Sequence, residues 1–265
     1  MTKLTEENYY SNDLDWEYMS VSQFKKFVEC EARAVAELGG TYKEDNTEAF
    51  LVGNFVHSAF ESNAAHEDFL STNQEEMLTK KGTLRAPFVL AEKMIERIKE
   101  DEFFSSLYQG EKETIVTGEL FGTTWKGKID CLNFRREYFV DLKTTREINK
   151  KMWSERDNNW ASFVEEYGYV LQMAVYRELL KQKYGKEFTP YIYAVSKQSP
   201  PNIEAINFDK EIFARELEYI EKKLPRILRV KNGEAAPLMC GTCEYCRANK
   251  KITGFKNVLD LIERR

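Results

Sequence analysis

No stretch of this 265-residue chain is apolar for long enough to span a bilayer. The first twenty residues, MTKLTEENYYSNDLDWEYMS, are polar and acidic, which is neither the apolar core of a secretory signal nor the arginine-rich pattern of a transit peptide. A cytoplasmic protein with no membrane partner is the resulting expectation. Positive charge is not in excess either. The 39 Lys and Arg against 44 Asp and Glu leave a net charge of -5, which argues against a generally basic nucleic-acid coat. Local distribution decides more than the total, because a basic groove can sit beside an acidic centre. Residues 222–231 (KKLPRILRVK) hold five cationic residues and no acid, and 247-RANKK-251 adds more. There is no internal repeat and no composition suggesting disorder or a fibre, and a chain of this length buries an ample core.

What is present reads as one domain of mixed α/β character. Ser20 or Ser22 caps a helix over 22–38 that Gly39-Gly40 ends. Apolar residues at helical spacing predict a second helix over about 46–65. The polar stretch 66–87 reads as loop, and 88–108 as helix. Strands are expected at 112–121, 124–134 and 137–143, then a helix at 160–183 ending at Gly185. Strands near 189–196 and 203–208 and a helix at 209–230 follow. The divisions expected are a mainly helical part over 1–110, an α/β core over 111–210, and a helix with a Cys-rich segment over 211–265, all within a single domain over 1–265.

Chemistry concentrates in the hairpin 126-KGKIDCLNF-134 and 137-EYFVDLKTT-145. With Arg135-Arg136 as the turn, the period of two places Asp130 opposite Asp141 and Lys128 opposite Lys143, all four on one side. Ile129 and Cys131 against Val140 and Leu142 then form the buried side. Opposed Cβ atoms lie about 4.5–5.5 Å apart, and like charges at that distance destabilise a sheet unless a cation sits between them. A lone Asp-x-Lys on a strand ordinarily reads as a solvated pair; the opposed Asp130 is what lifts this one above that reading. Gln172 and Tyr176 share a helix face at i, i+4 spacing, and Gln172 interrupts an apolar stripe with a group that must find a partner. Packing is the bland alternative for Tyr176 and for His57, which has apolar neighbours. His66 is assigned no role, and Glu119 is a weaker candidate whose facing is open.

The series Gly127-x-x-Asp130, Asp141-x-Lys143 and Gln172-x-x-x-Tyr176, preceded by His57 in 53-GNFVHSAFE-61, resembles the PD-(D/E)xK nucleases of the RecB and RecE type, in particular the phage exonuclease VIII-like group. The resemblance covers roughly residues 20–250. It implies a restriction-endonuclease-like core, a central mixed sheet flanked by helices. It also implies a Mg²⁺- or Mn²⁺-dependent DNA exonuclease acting on duplex ends in recombination, in a bacterial or phage-infected cell. In that reading Asp130, Asp141, the Leu142 carbonyl and His57 hold the metal, Lys143 serves the attacking water, and Gln172 and Tyr176 face the strand pair and the DNA backbone. A single-strand annealing protein as partner and a ring-shaped homo-oligomer are further implications. An endonuclease of the same fold, a non-catalytic DNA-binding accessory and a plain structural metal-binding protein stay open.

Cysteine forms a second constellation. Cys240-x-x-Cys243-x-x-Cys246 is a tight chelating run, and Cys30 on the first helix brings it to four. In a reducing compartment clustered thiols point to metal rather than disulfide. Some RecB-like nucleases, among them CRISPR adaptation nucleases and AddB-type subunits, hold a [4Fe-4S] cluster with one early and three late cysteines, the layout found here. The last spacing is shorter than theirs, so Zn²⁺ bound by four cysteines is the alternative. Cys131, on the apolar strand face, reads as core.

Overall fold

The computed structural model describes residues 2–43 and 48–261. Helices α1 (Asn12–Glu17), α2 (Val21–Glu29), α3 (Glu31–Leu38), α4 (Glu48–Glu61), α5 (Asn63–Thr72), α6 (Gln74–Met77), α7 (Ala86–Lys99) and α8 (Glu102–Leu107) precede the sheet. Strands β1 (Glu111–Leu120), β2 (Thr123–Asn133) and β3 (Tyr138–Thr145) form the expected meander. A small hairpin, β4 (Met152–Ser154) and β5 (Asn159–Ala161), leads into α9 (Phe163–Glu166) and α10 (Tyr169–Tyr184). Strands β6 (Thr189–Ser196) and β7 (Ile203–Ile206), then α11 (Glu211–Lys231) and α12 (Glu244–Ala248), complete the order.

The five long strands make one sheet in the order β1-β2-β3-β6-β7. All neighbours are antiparallel except β3 and β6, which run parallel because α10 carries the chain across between them. Each face has its own apolar layer. On one, α10, α2 and α11 cover Val116, Trp125, Ile129, Phe139 and Ile192. On the other, α4 and α7 cover Cys131, Val140, Leu142, Tyr193 and Val195. Helices on both faces leave β3 and β6 buried along most of their length.

Local chemistry sets the boundaries. Ser20 does cap α2, accepting the Gln23 N–H, and Gly185 closes α10 in the left-handed region at φ 68°. The expected helix over 22–38 is broken at Cys30, whose extended backbone (φ -162°, ψ 107°) serves as C-cap of α2 and N-cap of α3. The stretch 66–87, expected as loop, carries most of α5 and all of α6. Ser62 starts α5 by accepting the Ala65 N–H, a cap that the polar composition of the stretch concealed. The helix expected over 46–65 is α4; positions 46 and 47 lie outside the described residues. The helix expected from 160 begins only after Gly168, at φ 65°. Ahead of it stand β5 and α9, the latter closed by a capping box between Ser162 and Glu165.

Candidate active site

The hairpin register is the expected one. Cys131 pairs with Val140, Leu132 with Phe139 and Asn133 with Tyr138, across a turn at 134–137 in which the Asn133 side chain accepts the Arg136 N–H. The facing differs from expectation at one point. Ile129 packs in the layer beneath α10, whereas Cys131 packs in the layer beneath α4. The two strands are creased between them. The β1–β2 pairing passes from Thr114–Ile129 to Lys112–Cys131 with Glu113 and Asp130 left out, and Glu113 takes a left-handed backbone, φ 54°. The crease frees Asp130 from both ladders and turns it toward α4. Lys128 lines the same cleft as Asp130 but does not stand against Lys143; its Nζ is 2.7 Å from Glu113 Oε2.

Around this crease the sequence candidates converge. Asp130 Oδ2 accepts the Leu142 N–H at 2.8 Å and lies 3.4 Å from His57 Nδ1, which α4 presents. Asp141 Oδ1 accepts from Gln172 Nε2 at 2.8 Å, so Gln172 has found the partner its place in an apolar helix demanded. Lys143 Nζ is 2.5 Å from Asp141 Oδ2. Tyr176 packs over Gly127: a Cβ there would sit 2.6 Å from its ring, so only glycine lets α10 approach β2 this closely. Asp130, His57, Gln172 and Tyr176 line one cleft of about 720 Å³.

Burial dominates the electrostatics. Desolvation raises Asp141 to about 6; Asp130 adds to the shift and Lys143 opposes it. Asp130 is likewise raised to about 6 by desolvation, with Glu113 adding and Lys143 and the Leu142 N–H opposing. Desolvation pulls Lys143 down, but Asp141 and Asp130 outweigh it and hold the ammonium charged above its ordinary range. His57 is lowered to about 4, first by desolvation and then by Lys143, so its ring is neutral at pH 7 and has a lone pair to offer.

This donor set fits a hard divalent cation. A buried carboxylate, Asp141, stands beside a partly buried one, Asp130, and Asp141 Oδ2 makes no hydrogen bond of proper geometry despite its closeness to Lys143. Oxygen ligands with a neutral imidazole match Mg²⁺ or Mn²⁺, and a bound cation offsets the like-charge repulsion that raises both acids.

Glu113 and Glu61 are site residues that sequence reasoning missed. Glu61 follows His57 by one helical turn, and both acids line the cleft with Asp130. The i, i+4 spacing was readable; the left-handed backbone at Glu113 left no trace in the sequence. Glu119, the weaker candidate, lies toward the other end of β1, where its carboxylate accepts from Thr124. His66 bonds Ser58 and packs on Phe55, in keeping with the absence of an assigned role.

The four cysteines also meet. The sulfurs of Cys30, Cys240, Cys243 and Cys246 all lie within 4.8 Å of one another, with Cys30 and Cys246 3.5 Å apart. Backbone N–H groups of Cys243 and Cys246 point at the sulfurs of Cys240 and Cys243. Burial pushes Cys240 up, but donors from Cys243 and Thr242 prevail and hold its thiol at about 6. Burial and the neighbouring sulfurs push Cys243 the other way, up to about 12; four sulfurs this close together, whose crowding a bound cation would relieve, fit a soft or borderline metal. Two of the five cations in the basic run 222–231 are spent on structure. Arg226 grips Glu31 with two hydrogen bonds, and Lys231 is buried against Tyr18 O and Gln23 Oε1.

A mixed five-stranded sheet with flanking helices, acids on its second and third strands and a lysine two residues after the second acid defines a PD-(D/E)xK protein. Residues 20–249 match the family described as a PDDEXK-like domain of unknown function (DUF3799), and the chain belongs to that family. A solved structure from Eubacterium rectale, of a protein carrying the provisional name exonuclease, is 37% identical; the match covers 100% of both chains with a TM-score of 0.94. A second solved structure, SSO0001, is 16% identical over 85% of this chain and 91% of its own, with a TM-score of 0.30, too low to bear on the fold. No curated protein matches the chain. Among the described residues, no helix is long and apolar enough to cross a membrane.

Proposed function

We propose that this protein is a metal-dependent DNA exonuclease that hydrolyses phosphodiester bonds from duplex ends to leave single strands for recombination. The observation that carries the proposal is the convergence of Asp130, Asp141 and Lys143 at the crease of β2 and β3, with His57 and Gln172 fixing the two acids. Asp130, Asp141, His57 and the Leu142 carbonyl would hold Mg²⁺ or Mn²⁺. Bound there, the ion supplies an acidified water at neutral pH and offsets charge that develops on the phosphate.

The remaining work falls to the chain. Lys143, held charged by its two carboxylate neighbours, donates to the attacking water or to a phosphate oxygen as negative charge grows. Gln172 keeps Asp141 aimed, and the Leu142 N–H does the same for Asp130. Tyr176, whose phenol desolvation keeps protonated, offers a hydroxyl donor on the same wall. The provisional name of the 37% identical relative supports end-directed cutting. Duplex DNA ends are the proposed substrate, with an annealing protein as partner and a homo-oligomer as the working form. For the Cys₄ group we favour a structural [4Fe-4S] cluster over Zn²⁺, because one early and three late cysteines match that layout.

Incubation with linear and covalently closed duplexes, with and without Mg²⁺, tests the reading. Mg²⁺-dependent loss of the linear substrate alone is expected. Cutting of the closed circle would make it an endonuclease, and cutting of neither would make it a binder.

A further inference from the structure

The insertion between β3 and α10 is unexplained by the proposed chemistry. It separates Lys143 from Gln172 in sequence and carries the β4–β5 hairpin, only three residues per strand. A hairpin of that size is marginal alone, and here it is bolted down. Met152 packs on the main core, Ser154 is buried, and Arg156 makes two hydrogen bonds, 2.7 and 2.6 Å, to Glu216 on α11. The rigid arm presents Trp153 and Trp160, directly paired across the strands with rings 5.6 Å apart at 83°. They are 43% and 61% exposed. Tryptophan left this open on an anchored hairpin forgoes the burial that its size rewards.

We propose that this tryptophan pair is a stacking platform for unpaired bases of a nucleic-acid strand entering or leaving the active site. The inference deepens the nuclease reading and rests on it. Proximity is the first support: a cavity of about 530 Å³ is lined by the hairpin-loop residues Ser154, Glu155 and Arg156, next to the tryptophan strands, and by Tyr169, and Lys143 Nζ lies 4.7 Å from the centre of the Tyr169 ring. Tyr167, 41% exposed, lines the same cavity. Charge is the second. The segment joining β3 to the hairpin exposes Arg146, Lys150 and Lys151 against Glu147 alone, a track suited to phosphates. Aromatic faces beside a cationic track are the means by which proteins hold single strands without reading sequence. The dense phosphate charge of a nucleic-acid strand makes it the occupant that this basic track favours.

The test compares wild type, Trp153→Ala/Trp160→Ala and Trp153→Phe/Trp160→Phe, each full length and each also carrying Asp141→Asn to prevent hydrolysis. Fluorescence anisotropy measures binding to labelled oligo-dT and to a blunt duplex, and light scattering measures mass. The alanine pair is expected to lose about tenfold or more in oligo-dT affinity, with a smaller change on duplex; the phenylalanine pair should retain most of it. Oligo-dT binding equal to wild type in the alanine pair overturns the platform, as does a parent that binds no oligo-dT. A loss of binding that merely follows a fall in oligomeric mass overturns it as well. The nuclease reading is judged separately, by cleavage in the chain bearing Asp141: hydrolysis by a chain whose alanine pair binds normally defeats the platform alone.

Discussion

At the sheet, Asp130, Asp141 and Lys143 come from one hairpin; in a small buried cluster of their own, Cys30 meets Cys246 across 216 residues of sequence. The two sites are also opposite in energy. The carboxylates are desolvated beside each other, so without an ion they cost the fold free energy at neutral pH. Raising Asp141 from 3.8 to about 6 corresponds to a penalty on the order of 3 kcal/mol. The cysteines have N–H donors at Cys240 and Cys243 and are flanked by ties between α3 and the C-terminal part, including Ala32 N–H to Leu238 O and Glu31 to Arg226. A site that strains the apo fold suits turnover, whereas a site that joins distant segments suits stability. Loss of either should therefore show in a different measurement.

Asp141→Asn is the sharpest way to separate them. Mg²⁺-dependent hydrolysis of linear duplex should fall by about a thousandfold, while the melting temperature of the metal-free protein stays level or rises, since a buried charge has gone. Cys243→Ser should do the reverse. Its bound metal, read by elemental analysis and visible absorbance, should disappear, and stability should drop by several kcal/mol, with hydrogen exchange accelerated first around residues 237–248. Equal loss of activity and of stability in both variants would erase the distinction.

The pH dependence sharpens it further. Both acids have folded pKa values above their ordinary ones, which costs the metal-free fold stability as pH rises from about 4 through about 6; His57, lowered to about 4, opposes one of the two over the same range and leaves a net loss. Mg²⁺ should offset that loss. Its stabilising shift in melting temperature should be near zero at pH 4 and largest above pH 6, and hydrolysis should fall as pH drops below about 6. An Mg²⁺ shift that is flat with pH would place the ion elsewhere. The smallest effect is expected at Gly127→Ala, where the new Cβ must push Tyr176 aside, at a cost of about 1–3 kcal/mol by denaturant melting.

The sheet was legible because strand periodicity and a short turn fix register, and that register put Asp130, Asp141 and Lys143 on adjoining strands. Gln172 was legible for a related reason, a polar group in an apolar stripe. The crease was not. A left-handed Glu113 carries no sequence signature, so Ile129 was placed with Cys131 and Lys128 opposite Lys143, whereas each faces elsewhere. The break at Cys30 was hidden because the helical pattern continues through it; only the demand that its sulfur reach three cysteines more than 200 residues away explains the extended backbone. Charge counting leaves something out at 222–231 as well, since a run of lysines and arginines does not reveal that Lys231 is buried and Arg226 engaged. Cysteine spacing, by contrast, survives any local misreading because four thiols within reach need only the chain to bring them together.

The central claim is that Asp130 and Asp141 jointly hold a divalent cation within reach of Lys143. Anomalous diffraction from crystals soaked in Mn²⁺ tests it most directly. The account predicts a peak bridging the two carboxylates beside His57, absent in Asp141→Asn; Mn²⁺ bound only away from these residues, or a peak unchanged in that variant, would contradict it.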